Sequence, residues 1–162
     1  MHYLTPTIFT IVNKRKAIFP GSFDPFTLGH LDIVNRSLSL FDEVIIAIGV
    51  NSNKKRAFST ELMVEKIASL FVNEPKVKVK TYEGLTALFA KEQNAKFILR
   101  GLRNGTDLEY ESPISQANQM VNPDLESVFL ISKAELAFVS SSIVRDLHLY
   151  KQDVSHLLPY SL

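Results

Sequence analysis

One segment limits the folds open to this 162-residue chain more than any other: residues 43–50, EVIIAIGV. A strand with one face in water alternates apolar and polar side chains, whereas Val44 to Ile48 is unbroken. Such a run is buried on both faces, as in the middle of a parallel sheet. Both faces must then be covered by helices, so the run also predicts a layered α/β arrangement.

The remainder of the chain agrees. Short apolar runs at 17–19, 77–82, 97–100 and 127–131 alternate with helical periodicity at 28–40, 59–71, 85–94, 107–121 and 141–150. Leu31, Val34, Leu38 and Phe41 share a face of the first helical stretch. Ser59 is placed to cap the second helix, with Phe58 before it as a staple. Val77, Val79 and the intervening lysines alternate with period two, which marks a half-exposed edge strand. Pro113 either kinks the fourth helix or opens it after a Ser112 cap. The expected fold class is α/β, a single doubly wound, Rossmann-like parallel sheet of five strands spanning residues 16–162. Residues 1–15 read as an N-terminal extension outside that domain: an upstream start choice, a flexible arm or an added oligomer contact.

Composition removes several kinds of chemistry. With 18 Lys+Arg against 17 Asp+Glu the net charge is +1, and the basic residues cluster at strand ends without forming a stripe, so nucleic acid is not an expected partner. Zero cysteines exclude a disulfide framework, a thiolate nucleophile and any Cys-based zinc or iron–sulfur site. No apolar run approaches the roughly 20 residues that a membrane helix needs. The first fifteen residues lack both a basic leader and a small-residue cleavage site, so no secretory signal is expected. Together these features point to the cytoplasm.

Doubly wound sheets bind ligands beyond the carboxyl ends of their strands, and here those segments carry the chemistry. Thr27-x-Gly29-His30 enters a helix, which makes His30 either a capping or half-buried structural histidine or, beside free backbone N–H groups at the positive end of the dipole, part of an anion site. Gly29 leaves space where a phosphate must approach the backbone. Lys54-Lys55-Arg56 is either a solvated charge run or, since it directly follows the most buried strand, part of the site. Arg100 and Arg103 flank Gly101; they either grip phosphate through their forked guanidinium groups or form surface ion pairs with Asp107, Glu109 or Glu111. Ser140, Ser141 and Ser142 either cap a helix or add hydroxyls to a phosphate site. Neither GxxxxGK[ST] nor GxGxxG is present, and no activated nucleophile of the GxSxG or HExxH kind occurs. Transfer between phosphates fits this inventory, because a phosphate monoester with a second pKa of about 6 is itself an anionic nucleophile near neutral pH. Such a transfer requires alignment and positive charge.

Taken together, Pro20-Gly21-Ser22-Phe23-Asp24-Pro25 and Thr27-Leu28-Gly29-His30 resemble the T/HxGH signature of the nucleotidylyltransferase superfamily. Arg100-Gly101-Leu102-Arg103, Asp107-Leu108-Glu109-Tyr110-Glu111 and Val139-Ser140-Ser141-Ser142-Ile143-Val144-Arg145 extend the resemblance to the bacterial phosphopantetheine adenylyltransferases. The match runs from about Lys16 to Pro159. The resemblance implies Mg²⁺-dependent transfer of AMP from ATP to 4′-phosphopantetheine, giving dephospho-CoA and pyrophosphate, by a homohexamer. It also implies that His30 binds ATP phosphates and stabilises the transition state. Ser22, Lys54, Thr86 and Arg100 would serve the acceptor. Ser22, Phe23, Gly101, Leu102, Arg103 and Glu111 would hold ATP, together with Leu136, Ala137, Phe138, Val139, Ser140, Ser141 and Ser142. Ser22 stands where the family usually has Thr, and Leu136 where some members have an aromatic. The alternatives on the same fold are transfer to nicotinamide mononucleotide or an alcohol phosphate, and a non-catalytic nucleotide-binding module.

Overall fold

The computed structural model of the protein describes residues 14–51, 53 and 55–162. Lys16–Gly21 (β1), Glu43–Gly49 (β2), Val77–Tyr82 (β3), Phe97–Leu102 (β4) and Glu126–Ile131 (β5) form one sheet in the order β3-β2-β1-β4-β5. Every neighbouring pair is parallel, which is the doubly wound sheet expected. The helices are Leu28–Ser37 (α1), Thr60–Leu70 (α2), Thr86–Glu92 (α3), Gly105–Val121 (α4) and Ser141–Leu149 (α5).

The central strands alternate between two cores. Ala17, Phe19, Val44 and Ile46 meet Ile33 and Val34 of α1 and Met63 and Ile67 of α2 on one face. Ile18, Ile45, Ala47 and Ile98 meet Ala87, Phe89 and Ala90 of α3 on the other. The unbroken run in β2 is thus apolar because both of its faces lie under helices. β3 is an edge strand, with Lys78 and Lys80 exposed. Among the described residues no helix is long and apolar enough to cross a membrane.

Several boundaries differ from those read in the sequence. β4 continues past Arg100 because Gly101 and Leu102 pair with Leu130 and Ile131, so these two residues are strand and not loop. α1 stops at Ser37, whose Oγ donates to Val34 O at 2.7 Å, and Phe41 reaches the core from beyond the helix. α4 opens at Gly105 because Asn104 caps it, accepting from Asp107 N at 3.0 Å; Pro113 lies inside the helix and Ser112 is no cap. Ser59 does cap α2, accepting from Leu62 N at 3.2 Å. The expected extension lies outside the described residues as far as residue 13. Arg15 is already tied to the fold, its backbone N–H donating to Asp42 Oδ2 at 2.8 Å.

The strand order reverses between β1 and β4, and there the sheet opens. β1 pairs with β2 along its whole length but with β4 only at Ala17↔Phe97 and Ile18↔Ile98. Pro20 has no N–H to offer a neighbouring strand. Arg100 Nη1 bridges the gap instead, donating to Pro20 O at 2.6 Å.

Candidate active site

Two cavities lie at this opening. The larger, about 630 Å³, is lined by the start of α1, the end of β4, the first turns of α4 and the start of α5. The smaller, about 270 Å³, reaches toward Tyr82, Thr86, Ile114, Asn118 and Phe129. Pro20, Gly21, Ser22, Arg100 and Glu111 line both.

His30 sits in the first turn of α1. Thr27 N donates to His30 Nδ1 at 3.0 Å, and Thr27 Oγ1 lies 3.0 Å from the same nitrogen. A ring nitrogen that accepts a backbone N–H carries no proton in the neutral imidazole, so the proton is on Nε2. Phe23 meets the ring edge-on at a centroid distance of 5.1 Å, with Phe26 at 5.4 Å and Phe19 at 6.1 Å. Burial among these rings, followed by the nearby charges of Arg100 and Arg103, lowers the His30 pKa to about 4. At neutral pH His30 is therefore an uncharged N–H donor on the wall of the larger cavity.

The loop that carries these aromatics is held from outside. Phe23 has φ +43°, a conformation that costs of order 1 kcal/mol for a residue with a side chain. Its ring folds back over Gly21, where a Cβ would come within 2.8 Å of it. Four consecutive carbonyls receive side-chain donors from distant segments. Arg56 Nη2 reaches Phe23 O at 3.3 Å, Arg145 Nη1 reaches Asp24 O at 2.5 Å, Ser141 Oγ reaches Pro25 O at 2.8 Å and the Tyr160 hydroxyl reaches Phe26 O at 2.8 Å. The buried Asp24 carboxylate accepts from Ala57 N at 3.0 Å and Phe58 N at 2.8 Å, which fastens the segment after β2 to the same loop. Arg56, read in the sequence as part of a basic run, is thus a structural cation.

The two arginines are paired as well as aimed at the cavity. Arg100 donates to both carboxylate oxygens of Glu111, through Nε at 2.8 Å and through Nη2. Arg103 donates twice to Asp107, each at 2.9 Å, and these bonds hold the Asp107 carboxyl below its ordinary pKa. Glu109 takes part in neither pair among the described contacts. The ion-pair reading therefore holds for both arginines, with Glu111 and Asp107 as the partners, and both residues also line the larger cavity.

The serines divide their tasks in a similar way. Ser140 Oγ caps α5 by accepting from Ile143 N at 3.2 Å, Ser141 Oγ donates to Pro25 O, and Ser142 Oγ accepts from Arg145 Nη2 at 3.1 Å. Backbone N–H groups at the start of α5 thus complement hydroxyls already in use. At Gly29 a Cβ would meet only ordinary contacts, 3.6 Å or more away, so the fold does not itself require glycine there. That is consistent with space kept for a ligand.

Of the residues singled out in the sequence, Ser22, Phe23, His30, Arg100, Gly101, Arg103, Glu111 and Val139 to Ser142 gather around the larger cavity, and Thr86 lines the smaller. Leu102, Leu136, Ala137 and Phe138 line neither. Leu102 is buried, and the Leu136 carbonyl faces Gly29. Lys54 lies outside the described residues. Sequence reasoning did not find the holding contacts of Arg56, Arg145 and Tyr160, nor Tyr110 and Ser132 on the cavity wall.

A doubly wound sheet whose switch point gathers two arginines, a helix-start histidine and a second helix N-terminus defines a phosphate-handling nucleotidyltransferase type of domain. The cytidylyltransferase-like family model matches residues 18–147. A phosphopantetheine adenylyltransferase of Cytophaga hutchinsonii is 58% identical over 149 residues, covering 92% of this chain and 99% of the relative. The Christiangramia forsetii protein of the same name is 52% identical over 145 residues, covering 90% and 95%. The chain belongs to the cytidylyltransferase-like family and, within it, to the phosphopantetheine adenylyltransferases. Among solved structures, a bifunctional NMN adenylyltransferase/ADP ribose pyrophosphatase from Francisella tularensis, complexed with AMP and a manganese ion, shares the fold at a TM-score of 0.64 and 17% identity. The similarity covers 92% of this chain and 45% of that protein.

Proposed function

We propose that this chain transfers the adenylyl group of ATP to 4′-phosphopantetheine, forming dephospho-CoA and pyrophosphate in the supply of coenzyme A. The observation that carries the proposal is the wall shared by two cavities, formed by Ser22, Arg100 and their neighbours. ATP occupies the larger cavity and the pantetheine arm the smaller, so the two phosphates meet at that wall. An acceptor phosphate oxygen attacks the α-phosphorus of ATP, a new P–O bond forms, and the bond to pyrophosphate breaks. No protein nucleophile takes part.

Each residue then has a task. His30 Nε2–H donates to the α-phosphate as charge builds on it, and Arg100 and Arg103 offset the charge of the phosphates. Ser22 and Lys54 orient the acceptor phosphate, and Thr86 lines the arm. Phe23, Gly101, Val139 and the start of α5 bound the nucleotide, with Leu102, Leu136, Ala137 and Phe138 contributing through the backbone they shape. Glu111 acts by fixing Arg100. Among the described residues no group of three His, Asp or Glu side chains is arranged to hold a metal ion, and the cavity carboxylates Asp107 and Glu111 are each paired with an arginine. Mg²⁺ accordingly enters with the ATP phosphates as part of the substrate. We take the working form to be a homohexamer in the cytoplasm.

The test is pyrophosphate release from MgATP. It should require 4′-phosphopantetheine and yield dephospho-CoA in equal amount, with nicotinamide mononucleotide and alcohol phosphates inactive. Equal turnover with nicotinamide mononucleotide would reassign the acceptor, and no release with any acceptor would reduce the chain to a nucleotide-binding module.

A further inference from the structure

We propose that Tyr160, near the end of the chain, is a positioning residue that fixes the tautomer of His30 through one peptide unit. The Tyr160 hydroxyl donates to Phe26 O at 2.8 Å. The carbonyl of Phe26 and the N–H of Thr27 belong to the same planar group, and that N–H donates to His30 Nδ1 at 3.0 Å. Turning the peptide plane would break both bonds together, so the phenol holds the donor that keeps Nδ1 free of a proton. A hydrogen bond accepted by a carbonyl also polarises the amide and strengthens its N–H as a donor. The contact chain therefore runs from Tyr160 through the peptide to Nδ1 and leaves the proton on Nε2 of a residue that lines the larger cavity.

The surroundings suit this role. Tyr160 packs against the main core, and its hydroxyl also lies 3.5 Å from Met63 Sδ. Burial raises its pKa to about 12, so it stays a donor throughout the working range. Phe26 is fully buried, and the phenol is the partner of its carbonyl. The tail is itself anchored where Val154, Leu157 and Leu158 pack with Val139 and Val144 beneath the start of α5. Nothing local in the sequence marks the contact, since 134 positions separate its two ends.

The catalytic consequence rests on the proposed role of His30, but the structural claim does not, and one experiment separates them. Ring-nitrogen signals of full-length chain labelled with ¹⁵N-histidine would be recorded for wild type and Tyr160→Phe. The His30 signals are picked out from the four histidines by their loss in His30→Ala. Wild type should show a protonated Nε2 and a bare Nδ1. In Tyr160→Phe the two signals should move toward each other as the tautomers mix. At the same time kcat should fall about 2- to 12-fold, the span of a single hydrogen bond, with both Michaelis constants unchanged. Met63→Leu, which disturbs the other neighbour of the phenol but not its bond to Phe26, should leave the signals in place. Unmoved signals in Tyr160→Phe would overturn the proposal, since the Thr27 hydroxyl would then suffice to fix the ring. Equal displacement in Met63→Leu would overturn it too, as a general effect of repacking. Displaced signals with unchanged turnover would uphold the relay and remove His30 from the reaction.

Discussion

His30→Ala is expected to lower kcat by about 10²- to 10³-fold, the usual cost of one donor aimed at developing negative charge. The ring accepts from Thr27 N and is enclosed by Phe19, Phe23 and Phe26, so its geometry is set before substrate arrives. A preorganised donor gains most as charge builds in the transition state, and the loss should appear in kcat more than in the Michaelis constants. Because His30 has its pKa lowered to about 4, it stays neutral from pH 5 to 8, and no acid limb of wild-type activity in that range should come from its titration. The stability consequence has a definite sign. An unfolded chain protonates this histidine below its ordinary value of 6.5, whereas the folded chain resists until about 4. Its contribution is complete above pH 6.5 and is lost as pH falls from there toward 4. His30→Ala should therefore weaken the pH dependence of unfolding in that window. Turnover within a few-fold of wild type would refute the catalytic role.

Arg100→Met should damage both stability and activity, and a second substitution should separate them. Arg100 binds both oxygens of Glu111 and the carbonyl of Pro20. The Glu111 side chain is 11% exposed against 28% for Arg100, so removing the guanidinium strands a nearly buried carboxylate. The expected loss is about 2–4 kcal/mol, toward or below the range for a fully buried pair because Arg100 keeps some contact with water. Arg100→Met with Glu111→Leu removes both charges and should restore most of that stability. Activity should stay down by about 10²-fold or more in both variants, because the shared wall has lost its cation. Denaturant unfolding and initial rates on the same preparations decide the matter. Recovery of activity along with stability would make Arg100 a residue of the fold alone.

What the sequence revealed and what it concealed follow from distance along the chain. The run at Val44 to Ile48 announces a strand covered on both faces because burial on two sides leaves no room for alternation. The Ser59 cap and the serines before Ile143 are legible because a cap bonds only two or three residues away. Asn104 has the same signature, yet the periodicity marks the start of α4 only at Asp107, two residues inside the helix. The extension of β4 through Leu102 was hidden, since Gly101 reads as a turn until its pairing with Leu130 is known. The site motifs were legible as residue types, but the carboxylate partners of Arg100 and Arg103 were not. Spacing offers Asp107, Glu109 and Glu111 equally, and only the packing of α4 against β4 selects two of them. The four donors holding the carbonyls of residues 23–26 come from residues 56, 141, 145 and 160, and no local pattern could announce them.

In the proposed reaction the adenylyl group passes directly from ATP to the acceptor phosphate, without a covalent stop on the protein. Exchange of labelled pyrophosphate into ATP tests it most directly. With MgATP and labelled pyrophosphate alone, no label should enter ATP. Adding dephospho-CoA should start the exchange, because reversal then has its substrate. Label entering ATP in the absence of dephospho-CoA and 4′-phosphopantetheine would reveal an adenylylated protein and contradict the account.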